Sequence, residues 1–317
     1  STYVVEHELT KEFEDLTKKL TGVNYAIALT NGTMALFASL VALGVESGDE
    51  VIIPSFTIIS CLSAVMRTPA KPVFCDVDEY SWNTNLEHIE KIITSKTKAI
   101  ILVHTYGLAA EVHKIKELCN KKDIFLIEDS AEAHGQSING KMCGSFGDIS
   151  TFSFYANKHV TTGEGGIILT DSKVFYDTLI QMRNLDFDNS KRFIHNNLYW
   201  NYRLSGLQAS LGISQLKKLD YFVSIREKNY LFLKNSFKKI KQFKLLNLDS
   251  ENNKKSSYYC VSIILSNKLK KDRLKIIKKL KDNGIGTSIH YPKIVSDYTY
   301  YKKKYKISPK NFPNASI

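Results

Sequence analysis

The chain has 317 residues, 43% of them hydrophobic, and a formal net charge of +12. That length suits one large domain plus a smaller one, and the composition is ordinary for a globular protein. No window approaches the roughly 18 uninterrupted apolar residues of a membrane span, and the opening STYVVEHELTKEFE is acidic and lacks the apolar segment of a signal peptide.

Residues 6–20 predict an amphipathic helix, with Leu9, Phe13, Leu16 and Leu20 near helical spacing. A short apolar run, Tyr25 to Leu29, leads through Thr30-Asn31-Gly32-Thr33 into a helix bearing Met34, Phe37, Val41 and Ala42. Such a strand–turn–helix start leaves backbone N–H groups free to bind an anion, and Asn-Gly-Thr is equally a common capping turn. After the turn at 47–50, VIIPSFTIIS predicts a strand and a helix running to about Arg67. Strands over 72–75 and 99–103 alternate with helices over 85–93 and 110–120, the pattern of a parallel sheet with crossover helices. His104, at a strand end, is more often a satisfied structural residue than a pocket group.

Residues 124–170 carry the clearest chemical signal. The runs Ile124–Ile127, Ile149–Phe154 and Ile167–Leu169 predict three buried parallel strands. Ligands of open α/β sheets sit beyond the carboxyl ends of the strands. Asp129 and Lys158 both follow such ends, so one acid and one amine can converge on one pocket. A pyridoxal phosphate enzyme needs that pair, a lysine for the Schiff base and an acid for the pyridinium nitrogen.

Beyond this block, a helix over 172–183 precedes a polar, aromatic stretch at 184–202 without periodicity, of a length that is usually functional or disordered. Helices over about 205–218 and 221–241 follow, the second linking two domains, 1–220 and 221–317. The tract 249–255 predicts a solvent loop, and residues 257–265, 270–283 and 284–292 predict β-α-β in the smaller domain.

The charge is uneven: residues 1–212 hold 19 Lys/Arg against 25 Asp/Glu, and residues 213–317 hold 25 against 7. Arginine, the better base reader, is nearly absent from the basic half, and its lysines alternate with Leu274, Ile276, Ile277 and Leu280. A solvated helical face is the expectation there, not a nucleic-acid site, although it can help capture an anionic substrate. Five scattered cysteines (Cys61, Cys75, Cys119, Cys143, Cys260) form no CxxC pair, which argues against a disulfide framework or zinc site and for a reducing cytosol.

Taken together, TNGT (30–33), SGDEVIIPSFT (47–57), KPVFCDVD (71–78), IEDSAEAHG (127–135), FSFYANKHVTTGEGG (152–166), NYRLSGLQASLG (201–212) and GIGTSIHYP (284–292) make the chain resemble the DegT/DnrJ/EryC1/StrS sugar aminotransferases. The resemblance covers essentially the whole chain and implies an α/β fold-type I pyridoxal phosphate transferase. Its central sheet would be mostly parallel, with flanking helices and a smaller C-terminal α/β domain. Residue by residue it implies that Lys158 forms the Schiff base and shuttles a proton, with a lowered pKa, and that Asp129 protonates the pyridine nitrogen. Gly32, Thr33 and Ser153 match the phosphate cradle, and Glu132 a polar residue near the ring's 3-hydroxyl. Asn201 matches a residue that reaches the neighbouring subunit's phosphate, which implies a homodimer with shared sites. His290 and Tyr291 match a segment near the sugar nucleotide. Two features depart from the pattern. Ile58 stands where many members place an aromatic over the cofactor ring, and the chain stops at NASI (314–317), so the small domain is expected to be incomplete.

The expectation is therefore a cytoplasmic enzyme that passes an amino group from glutamate to the C4 ketone of an NDP-4-keto-6-deoxyhexose, giving an NDP-4-amino-4,6-dideoxyhexose of the perosamine or viosamine type. No metal, nucleic acid or membrane is involved in that reading. The alternative is a sugar 3-dehydratase of the same fold, which carries His at the lysine position; His159 is adjacent to Lys158.

Overall fold

A computed structural model describes residues 8–187, 194–250 and 253–315. In chain order its first elements are α1 (Glu8–Thr21), β1 (Tyr25–Leu29), α2 (Gly32–Ala42), β2 (Glu50–Pro54), α3 (Ile59–Val65), β3 (Lys71–Cys75), α4 (Leu86–Glu90), β4 (Thr97–Val103), α5 (Val112–Lys122) and β5 (Phe125–Asp129). A small ribbon, β6 (Ser137–Ile138) and β7 (Lys141–Met142), precedes β8 (Ile149–Ser153), β9 (Gly166–Thr170) and α6 (Lys173–Arg183). Then come α7 (Gly206–Leu216), α8 (Leu219–Phe237), β10 (Phe243–Leu245), β11 (Lys254–Lys255), β12 (Ile263–Leu265), α9 (Arg273–Asp282) and α10 (Thr299–Tyr305).

Seven strands form one sheet in the order β1-β9-β8-β5-β4-β2-β3. β3, β2, β4, β5 and β8 are mutually parallel, and their near-continuous burial is what strands covered on both faces require. β9 departs from the sequence reading: it runs antiparallel to both β8 and β1. The cause is the short link between β8 and β9, which holds no crossover helix. A parallel pair needs such a crossover, whereas an antiparallel pair does not.

Two layers of helix close the sheet. α2 begins at Asn31, whose side chain accepts the Met34 N–H at 2.9 Å, and its next turns bury Leu36, Phe37 and Leu40. α1 presents Phe13, fully buried, edge-on to Phe154 with ring centroids 4.9 Å apart. α7 starts with a reciprocal capping box, Ser205 and Gln208, and brings Gly212 so near Phe13 that an added Cβ would lie 2.5 Å from its ring.

The later chain differs from expectation in three places. Residues 284–292 form no strand; most of them are exposed, and β12 pairs instead with β10, a short segment the sequence pattern did not single out. Lys254 and Lys255, read as solvent loop, pair with Ile138 and Ser137 to widen the ribbon to three strands. The 184–202 stretch is partly built into the body: Trp200 lies edge-on to Phe37 and stacks on Tyr202, and buried Asp186 accepts the Asn196 and Asn197 N–H groups. Residues 1–7, 188–193, 251–252 and 316–317, which include parts of the N-terminal helix, both loop readings and the NASI end, lie outside the described residues. Ile294, Val295 and Phe312 join the same core as β2, β4 and α3, and Asn314 and Ala315 donate to Asp76. Among the described residues no helix is long and apolar enough to cross a membrane.

Phe13 anchors α1 and α7 to the sheet, so Phe13→Ala should cost about 3–5 kcal/mol, as buried Phe truncations do. Denaturant midpoints of the two proteins check this, and a loss under about 1 kcal/mol would contradict the packing described.

Candidate active site

The cradle forms where α2 meets the end of β8. Gly32 opens α2 so close to Ser153 that a Cβ on it would stand 2.9 Å from the Ser153 Cβ. Across the same turn, Gly166 leaves room for the Asn31 carbonyl, which an added Cβ would meet at 2.4 Å. Thr33 donates its hydroxyl to Ser60 Oγ at 2.8 Å, adding a second oxygen to the rim. Free N–H groups at a helix start, a positive dipole end and three hydroxyls are what a phosphate needs. The segment just before α7 borders this turn: Thr30 donates its N–H to the Tyr202 carbonyl, while Asn201 beside it is exposed and bridged by its backbone to Asn184.

The second half of the site lies past β5 and β8. Asp129 ends β5, 3% exposed, and among the described residues its side chain accepts the Ala131 N–H at 3.1 Å and the Cys61 thiol at 3.5 Å. Burial holds its carboxyl above the usual range, against the Ala131 amide and the Lys158 charge. Glu132, one turn on, is also raised by burial; its Oε2 accepts the Tyr106 N–H at 2.8 Å and its Oε1 stands 3.7 Å from Lys158 Nζ. Lys158 is pressed toward neutrality by burial, yet Glu132, Tyr259 and Asp129 outweigh that and hold it above the ordinary lysine value. The lowered pKa expected from the sequence belongs to an amine beside a cationic iminium; the protein groups by themselves act the other way. The physical reason is that two buried carboxyls share one ammonium, so the pocket carries excess acid and favours a further cation. A protonated pyridine nitrogen at Asp129 has that charge, and the cradle has the donors for a phosphate. The residues present therefore fit pyridoxal phosphate.

His159 does not compete with Lys158 for this place. Its Nε2 binds the Ser257 carbonyl at 2.7 Å, and burial pushes its pKa down to about 3. Ile58 stands at the N-cap of α3, 39% exposed. Tyr291 reaches Glu132 Oε1 with its hydroxyl at 3.4 Å and stacks on Tyr106 at 6.2 Å, within a cluster that includes Phe56 and Trp82. His290 is exposed: its ring pairs with Ser288, and its carbonyl accepts the Tyr106 hydroxyl. Thus Gly32, Thr33 and Ser153 converge, and so do Asp129, Glu132, Lys158 and Tyr291, whereas Asn201, Ile58 and the His290 ring lie on exposed surface.

Several residues of this site carried no signal in the sequence reading. Tyr259, Tyr106, Cys61 and Ser60 are distant in sequence from the groups they touch, and no local pattern marks them. Glu128 had one signal, its place beside Asp129. Its oxygens accept from Gly144, Phe146 and Gly147 N–H, from Ser150 and Ser130 hydroxyls, and share a proton with His104 at 2.9 Å. These bonds, His104 foremost, offset burial and keep the carboxyl below its usual range. His104 also accepts the Ala110 N–H, so it is a structural residue and does not line the pocket. The Cys143 thiol lies near this pair, the three ligand atoms within 4.8 Å of one another, while His104 and Glu128 are engaged with each other and with backbone N–H groups.

Residues 2–317 match the sequence model of the DegT/DnrJ/EryC1/StrS aminotransferase family. The chain belongs to this family. It is 36% identical over 300 residues to the GDP-perosamine synthase of Escherichia coli O157:H7, covering 94% of this chain and 80% of that one. It is 41% identical over 191 residues to the UDP-N-acetyl-3-dehydro-alpha-D-glucosamine 3-aminotransferase of Acidithiobacillus ferrooxidans, 60% of this chain and 51% of that one. The fold superposes with a TM-score of 0.92 at 26% identity on a Streptococcus pneumoniae protein assigned as a sugar aminotransferase and solved in its PLP form, covering 99% of this chain and 85% of that one. Membership of this family makes the chain a pyridoxal-phosphate-dependent aminotransferase.

One further group in the aminotransferase core sets an acid limit. His134 is buried, with no hydrogen-bond partner at either ring nitrogen among the described residues, packed on Phe152 and Phe154, and burial holds its pKa well below that of a free imidazole. A depressed histidine contributes stability above its unfolded pKa of about 6.5 that is lost as pH falls toward the folded value. The buried carboxyls, raised instead, act with the opposite sign, so the comparison must be between variants. His134→Phe should flatten the acid loss of stability below about pH 6.5, by up to about 1.4 kcal/mol per pH unit, as read from unfolding at a series of pH values. Equal slopes in the two proteins would refute it.

Proposed function

We propose that this aminotransferase acts on a nucleotide-linked keto-sugar, placing an amino group from glutamate at the C4 ketone of an NDP-4-keto-6-deoxyhexose. The observation that carries the reading is Lys158 Nζ held between Glu132 and Asp129 beyond the carboxyl ends of β5 and β8. When bound there, pyridoxal phosphate supplies the electron sink that transamination needs. Asp129 holds a proton at the ring nitrogen, and the same burial that raises its own pKa makes that ion pair favourable. Gly32, Thr33 and Ser153 hold the phosphate. Lys158 Nζ would hold the cofactor, and its amine is the group placed to move a proton at the substrate carbon. Glu132 would face the ring's 3-hydroxyl, and half-exposed Ile58 would offer apolar packing without π-stacking.

On this reading His290 and Tyr291 face the sugar nucleotide, and exposed Asn201 completes the phosphate site of a second copy, making a homodimer. The chain after residue 220 forms a smaller lobe before residues 294–315 return to the sheet body. The coverage and identity of the GDP-perosamine synthase support amination at C4. The 3-aminotransferase relative favours a second reading, amination at C3, with the same residues in the same roles.

Incubation with glutamate and a panel of GDP-, UDP- and dTDP-linked 4-keto and 3-keto sugars, with product mass and regiochemistry read out, decides between them. A 4-amino product is expected; a 3-amino product alone would move the assignment to C3. Lys158→Ala should remove the visible absorbance of the bound cofactor and lower turnover by at least the roughly 10²–10⁴-fold of a lost acid–base group. Retention of both would overturn the assignment of Lys158.

A further inference from the structure

We propose that Tyr259 is a positioning residue for Lys158, its hydroxyl fixing where the amine stands and how readily it gives up a proton. This rests on the reading of Lys158 above. Lys158 Nζ donates to the Tyr259 hydroxyl at 3.2 Å and stands 4.5 Å from the centre of its ring. The hydroxyl in turn donates to Asn157 Oδ1 at 3.3 Å. A phenol has one proton to give. With that proton directed to Asn157, the oxygen faces Lys158 as an acceptor and stabilises the N–H-bearing, charged amine. The ring face adds cation–π attraction in a poorly solvated place.

Tyr259 is held there from several sides, as a residue that sets another's geometry must be. Its carbonyl accepts Arg226 Nη1 from α8 at 2.6 Å. Just before it, Ser257 donates its hydroxyl to the Glu132 carbonyl and Ser256 its own to the Gly107 carbonyl, both at 2.6 Å. The Ser257 carbonyl binds His159, the residue after Lys158. The strip 256–259 is thus fastened to the segments that carry Glu132 and Lys158, and Tyr259 is only 9% exposed. The charged and titratable groups around the amine are Glu132 and Asp129 on the acid side, with His134, His159, Cys260 and Arg226 beyond; both histidines are neutral through burial.

Two variants separate hydroxyl from ring. Tyr259→Phe keeps the cation–π face and loses the acceptor; Tyr259→Leu loses both. In the cofactor-free chain, the pH midpoint for labelling Lys158 with trinitrobenzenesulfonate, read by peptide mass spectrometry, should fall by about one unit in Tyr259→Phe and further in Tyr259→Leu, the size set by one hydrogen bond to a charged group. In the holoenzyme, the pH at which the visible spectrum changes should shift, and kcat should fall roughly tenfold with little change in the KM for the sugar, since the phenol acts through Lys158, with Asn157 as its other partner. Asn157→Ala leaves the phenol in place and frees its proton to turn toward Nζ, so its midpoint should fall by less; it serves if the Tyr259 variants do not fold. Unmoved midpoints, spectra and kcat would overturn the proposal. A failure of the reading beneath it is distinct: Lys158→Ala would then still capture the cofactor.

Discussion

The site depends on one electrostatic constraint, the placing of two carboxyls and one ammonium where water scarcely reaches. A buried charge is costly unless paired, and removing one member of a buried set is worse than never having built it. Asp129, Glu132 and Lys158 leave that set one cation short. On the function proposed above, a protonated heterocycle would bring the missing charge, so cofactor affinity and the cost of the empty arrangement would be two sides of one balance. The shortfall also explains why the lysine is held charged in this state, rather than pre-lowered as an isolated buried amine would be.

The sheet exists to hold that constraint in place. β5 and β8 are neighbours and parallel, so their ends deliver Asp129 and Ser153 to one edge. The two acids at the end of β5 show how sharply backbone geometry divides labour. Side chains alternate faces along a strand, so Glu128 turns into a closed hydrogen-bond network that fixes the 144–147 turn and His104, while Asp129 turns to the pocket. One position apart, the first acid is fully satisfied and held charged, and the second is left under-satisfied and raised.

The antiparallel β9 serves the cradle. Its first residue, Gly166, passes close under Asn31, and this contact lets the start of α2 sit against Ser153. Distant parts of the chain then close the site from outside. Tyr106 with Tyr291, and the strip ending at Tyr259, arrive from a loop after β4 and from the chain beyond α8. The Lys158 amine is bounded by Asp129 and Glu132 from one stretch of sequence and by Tyr259 from another, far along the chain.

How much of this was legible beforehand follows from where each signal resides. Local order was readable: the alternation of apolar runs and helical faces announced the β-α units, Asn31 announced a helix start, and family-like blocks announced the family. Those signals survive in sequence because periodicity, capping and motif spacing are short-range properties. The direction of β9, the pairing of β12 with β10, the absence of a strand at 284–292 and the roles of Glu128, Cys61 and Tyr259 were not readable. Each is set by which segments meet in space, and for buried ionisable groups by how many charges share one dehydrated volume. The surroundings of Lys158 are the clearest case: burial alone favours a neutral amine, and the tertiary placement of Glu132, Tyr259 and Asp129 around its nitrogen, invisible in sequence, favours the charged one.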